Sequence, residues 1–280
     1  MAFGGDNAES YYDEGVTAGM KGDVMQAVKY FERAIELDRQ HFAAYHQLGK
    51  CRLRLGQPQK AVELLQFVIK NKPNQIPPRI DLGFALLDIG LADRARSLFE
   101  EISRVKPDNA RASLGMAHCA FQQGQWDAAV LLAETAISQG GSNFGAFLLL
   151  GRAATFAGRL EISANALERA DKLIEKHIET NPGQPEGHYL RGEVQFVEQS
   201  FEKAADCYER AADCAQAGRH YSAYDAHFTL IDILAKRGAC LQRLGRHEAA
   251  REIGRRMLEL DPSSATGKMF MQGPAQEAAR

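Results

Sequence analysis

No run of 18 apolar residues occurs in this 280-residue sequence, so it holds no candidate membrane-spanning helix. An excess of one charge is missing too: 34 Lys and Arg stand against 36 Asp and Glu, a formal net charge of −2. Nucleic-acid binding calls for a basic excess on one face, and nothing here points to one. Paired cysteines are absent. The five that occur, Cys51, Cys119, Cys207, Cys214 and Cys240, are odd in number, scattered and never in a C-x-x-C pair. They read as reduced thiols used as small apolar residues in a reducing compartment. The opening MAFGGDNAES has neither a basic flank nor an apolar stretch, and Ala2 stands where myristoylation needs glycine. The expected location is therefore cytoplasmic.

Motifs for chemistry are missing as well. The sequence has no phosphate loop, dinucleotide fingerprint, zinc spacing or nucleophile motif. The nearest imitation is Gly140-Gly141-Ser142-Asn143, ahead of a helix, where Ser142 or Asn143 reads as a helix cap. His41 and His46 are five apart, which points them to different faces of a helix, whereas a metal pair needs three or four. Trp126 reads as a packing residue beside a turn, and Glu161, Glu168 and Lys172 as a solvated helix face. No catalytic residue, metal or cofactor is implied, and no enzyme activity is expected.

What the chain does have is a repeat. Gly15, Gly49, Gly83, Ala117 and Gly151 follow one another at intervals of 34 residues, and so do Gly22, Gly56, Gly90, Gly124 and Gly158. Three further series keep the same phase: Ala27 to Ser163, Phe31 to Leu167 and Ala34 to Ala170. The first small residue sits mid-helix, where two helices cross closely. The second glycine ends that helix, where positive φ suits a C-cap. The third small residue and the large apolar one four positions later share a face of a second helix. Prolines such as Pro73 and Pro107 end it. Apolar residues recur at helical spacing and no segment alternates as a strand would.

Two insertions interrupt the period. Gly192 lies 41 residues after Gly151, and the extra seven residues, about two turns, are expected to lengthen the second helix of the fifth unit before Pro182. Gly238 lies 46 after Gly192, and the extra twelve, about Arg219 to Leu230, are expected to lengthen the first helix of unit seven. Tyr221, Tyr224 and Phe228 would then pack on a neighbouring helix. Looseness is expected at 215–222, where Ala217-Gly218 breaks a helix, and Met269, Phe270 and Met271 are expected to cap the last pair.

These units resemble tetratricopeptide repeats. Leu48-Gly49, Gly56, Ala61 and Pro73 match the family pattern, as do Leu82-Gly83, Gly90, Ala95, Phe99 and Pro107, and Asp261-Pro262 closes the last unit. Arg39, Gly141 and Gln199 depart from it. The resemblance implies an all-α, right-handed solenoid of about seven helix–turn–helix units, near 8–41, 42–75, 76–109, 110–143, 144–184, 185–218 and 231–264. Residues 1–7 would form an N-terminal tail and 265–280 a capping segment and tail. One unit cannot bury its own apolar face, so the stack is expected to be one elongated body.

The resemblance places function on a concave surface lined by each unit's first helix, at positions three before, one after and four to five after the mid-helix glycine. The expected groove residues are Lys50 and Arg54; Ile80, Phe84 and Leu87; Arg111, Leu114, His118 and Phe121; Leu148, Arg152 and Phe156; then Tyr189 and Phe196. An apolar strip of that size marks a binding site. The two-carboxylate clamp by which some members grip acidic chaperone tails is missing: its positions hold Tyr12, Val16, Gln47, Pro77 and Asp81, and Asp81 would repel a carboxylate. The expected role is an adaptor or assembly scaffold binding a peptide or amphipathic helix of another protein. A self-assembling scaffold or homo-oligomer, and the accessory repeat subunit of an enzyme complex, are the alternatives.

Overall fold

The structure, a computed structural model, describes residues 7–223 and 226–272. Fifteen α-helices and one two-stranded hairpin make up the described residues. The chain divides into two compact units, Met1–Ser142 and Asn143–Arg280.

The first unit holds four helix pairs: α1 (Ala8–Met20) with α2 (Val24–Leu37), α3 (Phe42–Arg54) with α4 (Pro58–Asn71), α5 (Ile76–Asp88) with α6 (Ala92–Val105), and α7 (Ala110–Gln122) with α8 (Trp126–Ser138). Each pair turns at a glycine with positive φ, namely Gly22, Gly56, Gly90 and Gly124. Side-chain caps open several helices: Asn7, Asp23, His41 and Asn109 each accept from a backbone N–H one turn on. The second helices α2, α4 and α6 are strongly amphipathic, and Phe31, Leu65 and Phe99 are buried from them against the first helices. The mid-helix glycines make room for these side chains. A Cβ on Gly83 would come within 2.4 Å of the Phe99 ring, and one on Gly15 within 2.6 Å of Phe31. In the fourth pair Ala117 takes the glycine place and small Ala133 the place of the large residue, and both are fully buried.

The second unit continues the pattern with α9 (Phe144–Phe156) and α10 (Leu160–Thr180), then α11 (Pro185–Val197) and α12 (Phe201–Cys214). Asn143 caps α9, its side chain accepting from the Ala146 N–H at 3.0 Å. The seven-residue insertion lengthens α10 to 21 residues, as its apolar stripe implies, with Ile174 fully buried. The turn after α11 departs from glycine: Gln199 takes a φ of 59°, a left-handed conformation that opposes an L side chain by roughly 1–2 kcal/mol.

The second insertion corrects the sequence reading. It does not lengthen a helix. After α12 the chain turns at Gly218, φ 75°, and forms a hairpin of β1 (Tyr221–Ala223) and β2 (Ala226–Phe228), paired antiparallel with Tyr221 opposite Phe228. The physical reason lies in the aromatics. Tyr221 and Phe228 stack at 5.8 Å, and Phe228 stacks on Tyr189 of α11 at 3.9 Å, so the hairpin buries both against the first helix of the preceding pair. Tyr224 lies outside the described residues.

A capping box of Thr229 and Asp232 then starts α13 (Leu230–Arg243), which pairs with α14 (His247–Leu260) through a turn at Gly245. A short α15 (Ala265–Gln272) closes the described chain. Of the three residues expected to cap the stack, Phe270 is buried, while Met269 and Met271 are 50% and 38% exposed. Residues 273–280, part of the expected capping segment and tail, lie outside the described residues.

Candidate functional site

In the first unit, α3, α5 and α7 place their side chains together on one face. The centre of that face is Asp81 of α5, only 5% exposed. His46 Nε2 of α3 lies 2.7 Å from its Oδ2, and Arg111 Nη2 of α7 donates to Oδ1 at 2.8 Å. Three successive first helices are thereby tied through one carboxylate. Burial alone would raise the Asp81 carboxyl, but the hydrogen bond from His46 and the adjacent Arg111 guanidinium outweigh it and hold the group below the usual carboxylate range. Asp81 is therefore not the open negative charge that its sequence position implies.

Phe84 follows Asp81 by one turn and is half-buried. Its ring meets Phe99 edge-on at 5.3 Å and His118 at 6.1 Å, and the Arg111 guanidinium lies over it at 5.6 Å. Arg111 stays 54% exposed by its side chain. Phe121 is half-buried and packs edge-on against Trp126 at 5.1 Å. Lys50 is exposed, and Arg54 is half-buried with Nη1 donating to the Gly19 carbonyl at 3.3 Å.

The second unit carries a matching centre on α9, α11 and α13. Glu193 of α11 is 7% exposed. Its Oε1 accepts from the Tyr208 hydroxyl at 2.6 Å and lies 2.9 Å from Lys236 Nζ of α13, while Arg152 Nη2 of α9 stands 3.6 Å from Oε2. Burial foremost, and then the Glu193 charge, push the Tyr208 hydroxyl far up, so it remains a donor. Phe196 follows Glu193 by one turn, packs edge-on against Phe201 at 5.4 Å, and has Lys236 over its ring at 5.9 Å.

The exposure expected from sequence is not found at every candidate position. Ile80, Leu114, Leu148 and Tyr189, three before the mid-helix small residue, are all buried, and so is Leu87. Their side chains pack in the interior of the helix stack, so they form the floor beneath the face. Five after, Asp88, Gln122 and Phe156 are exposed, Phe156 by 62%, while Arg54 and Val197 are half-buried. The tie role of Asp81, and Lys236, did not emerge from the sequence. An acidic residue one turn before an aromatic on two first helices, Asp81-x-x-Phe84 and Glu193-x-x-Phe196, is the signal that would have found the first. The hairpin shifts the register of α13 and hides the second.

Tetratricopeptide repeat family models match residues 20–80, 55–119 and 86–147, and a second model of the same description matches 148–219. The chain belongs to the tetratricopeptide repeat family. No curated protein sequence matches it. Among solved structures it is similar to a tetratricopeptide repeat protein from Parabacteroides merdae, with a TM-score of 0.57 at 13% identity over 96% of this chain and 98% of that one. It is similar also to a chain of the APC/C hetero-tetramer Cut9-Hcn1, with a TM-score of 0.59 at 17% identity over 88% of this chain and 46% of that one. A MamA RS-1 double mutant gives 0.51 at 18% identity over 62% of this chain and 97% of that one. These likenesses show the fold, and tetratricopeptide repeats imply a protein-interaction scaffold in general. Among the described residues no helix is long and apolar enough to cross a membrane.

Proposed function

We propose that this tetratricopeptide repeat protein is a non-catalytic adaptor that holds a peptide or amphipathic helix of a partner protein against the first-helix faces of its compact units. The observation that carries the reading is the set of aromatics left partly open there: Phe84, Phe121 and Phe196 are half-buried and Phe156 is 62% exposed. Large aromatic anchors supply most of the binding energy at such surfaces, and a helix presents anchors at three- and four-residue spacing. The five cysteines carry no disulfide and three of them are buried, which fits the reducing, cytoplasmic setting of the proposal.

The test is partner capture from the native host by the wild type and by Phe84→Ala, Phe121→Ala and Phe156→Ala variants. The expected result is a protein captured by the wild type and lost from the variants, by about 2 kcal/mol or more per anchor if these are hot spots. Phe156→Ala should leave the melting temperature almost unchanged, whereas Leu148→Ala, in the floor, should destabilise by roughly 2–5 kcal/mol. Capture that is indifferent to all three aromatic changes would move the binding surface elsewhere. Light scattering showing a defined homo-oligomer that dissociates with these changes would favour self-assembly instead.

A further inference from the structure

The two compact units carry the same side-chain constellation. In each, a buried carboxylate on the middle first helix is gripped by a basic side chain from the helix before and a cation from the helix after. That second cation also lies over the aromatic one turn beyond the carboxylate. The members are His46, Asp81, Phe84 and Arg111 in the first unit, and Arg152, Glu193, Phe196 and Lys236 in the second. The match is not inherited from the repeat register. Asp81 lies two residues before Gly83, whereas Glu193 lies one after Gly192.

We infer that Arg111 in the first unit and Lys236 in the second, each pinned by a buried carboxylate and laid over an aromatic ring, each receive an acidic side chain of an amphipathic partner helix whose apolar residues rest on the ring beside it, Phe84 or Phe196. This rests on the groove-binding reading above and names the chemistry of its occupant. Three observations support it. A carboxylate withdrawn from water is a poor means of holding helices together, because its desolvation opposes the gain from pairing and an apolar side chain of similar volume would pack as well. What the carboxylate does achieve is to fix the cation in place. Arg111 spends one nitrogen on Asp81 and keeps the rest of its five-donor fork, on a side chain 54% exposed, for a second acceptor. Last, within each constellation the charge left open is positive. Asp81 and Glu193 are buried and engaged, while the side chains of Arg111, Arg152 and Lys236 are 54%, 37% and 34% exposed. An incoming carboxylate thus meets an oriented cation on a partly desolvated platform, with little side-chain entropy left to lose.

The test uses the full chain and three short synthetic helices of Leu and Ala that differ only in carrying Glu, Gln or Lys beside the leucines. The expected order is Glu, then Gln, then Lys, with the Glu helix at least about tenfold tighter than the Gln helix at low salt. That gap should close at about 0.5 M salt, where exposed charges are screened. The Arg111→Gln/Lys236→Gln double variant should bind the Glu and Gln helices alike. The corresponding Arg111→Lys single variant, which keeps the charge, should preserve most of the preference. Asp81 keeps His46 and Glu193 keeps Tyr208 and Arg152 in the double variant, so its melting temperature reports whether the fold is intact. Equal binding of all three helices to the wild type would overturn the inference and leave the groove reading standing. A Glu preference that survives the double variant would overturn it equally, by placing recognition on other cations. Failure of every helix to bind would count against the groove reading, and the inference with it.

Discussion

Phe270 of α15 fills the space opposite Gly238 of α13: a Cβ on Gly238 would come within 2.2 Å of its ring. In the other glycine-bearing pairs the residue sixteen positions after the mid-helix glycine fills that space, as Phe31 does for Gly15, Leu65 for Gly49, Phe99 for Gly83, Leu167 for Gly151 and Tyr208 for Gly192. In the last pair that position is Gly254, and the missing side chain is replaced from the following helix. Gly254 itself lets α15 approach, since a Cβ there would meet the Gly267 carbonyl at 2.9 Å.

Phe270→Ala should therefore act as a core truncation, although it lies in the last eight-residue helix. The expected loss is about 3–5 kcal/mol, the range for emptying a buried phenylalanine site. Hydrogen exchange should show it first in α13 and α14. Met269→Ala, one residue away and half exposed, should change melting little. Equal effects of the two would mean that α15 is not seated as described.

Phe99 is clasped from two sides, by Gly83 of its own pair and Gly115 of the next, with hypothetical Cβ atoms at 2.4 and 2.3 Å from its ring. Gly83→Ala and Gly115→Ala should each destabilise by about 1–3 kcal/mol through overpacking. Combining Gly83→Ala with Phe99→Leu should recover part of the loss, because the Gly49–Leu65 pair meets at a looser 3.1 Å. Strictly additive losses in thermal or denaturant unfolding would contradict the clasp.

The Asp81 tie makes a prediction in acid. Its carboxyl is held below the usual range, so the folded chain binds fewer protons there than the unfolded one. The stability it contributes is complete above the unfolded value of about 3.9 and is lost as pH falls through the lower folded value. Asp81→Asn should be less stable than the wild type at about pH 6, and the difference should shrink as pH is lowered toward about 3. A difference in melting temperature that stays constant across that range would show that the ionised form is not the one stabilised.

The repeat, the helix pairs and the close glycine crossings were legible in sequence because they depend on local rules repeated in phase. A glycine ends a helix through its own φ, and a small residue admits a large one at a constant offset. The long α10 was legible for the same reason, since inserting two turns preserves the apolar face. Where the local rule was broken, the reading failed or fell silent. The insertion before α13 spaces Tyr221, Tyr224 and Phe228 as a helix would. It became a hairpin because Phe228 could stack on Tyr189, a residue of another helix pair. Gly254 stands where the last pair should carry its large side chain, and the ring comes instead from Phe270 of the next helix. The open and closed positions of the first-helix face could not be separated by spacing, because burial there depends on how near the neighbouring helices come. Spacing assigned Leu148 and Phe156 alike to the groove, and the stack buries one and leaves the other 62% exposed. Asp81 is the plainest case. Its sequence position says only that a carboxylate lies on that face, and the two partners that decide its charge, its burial and its use lie 35 residues before it and 30 after it.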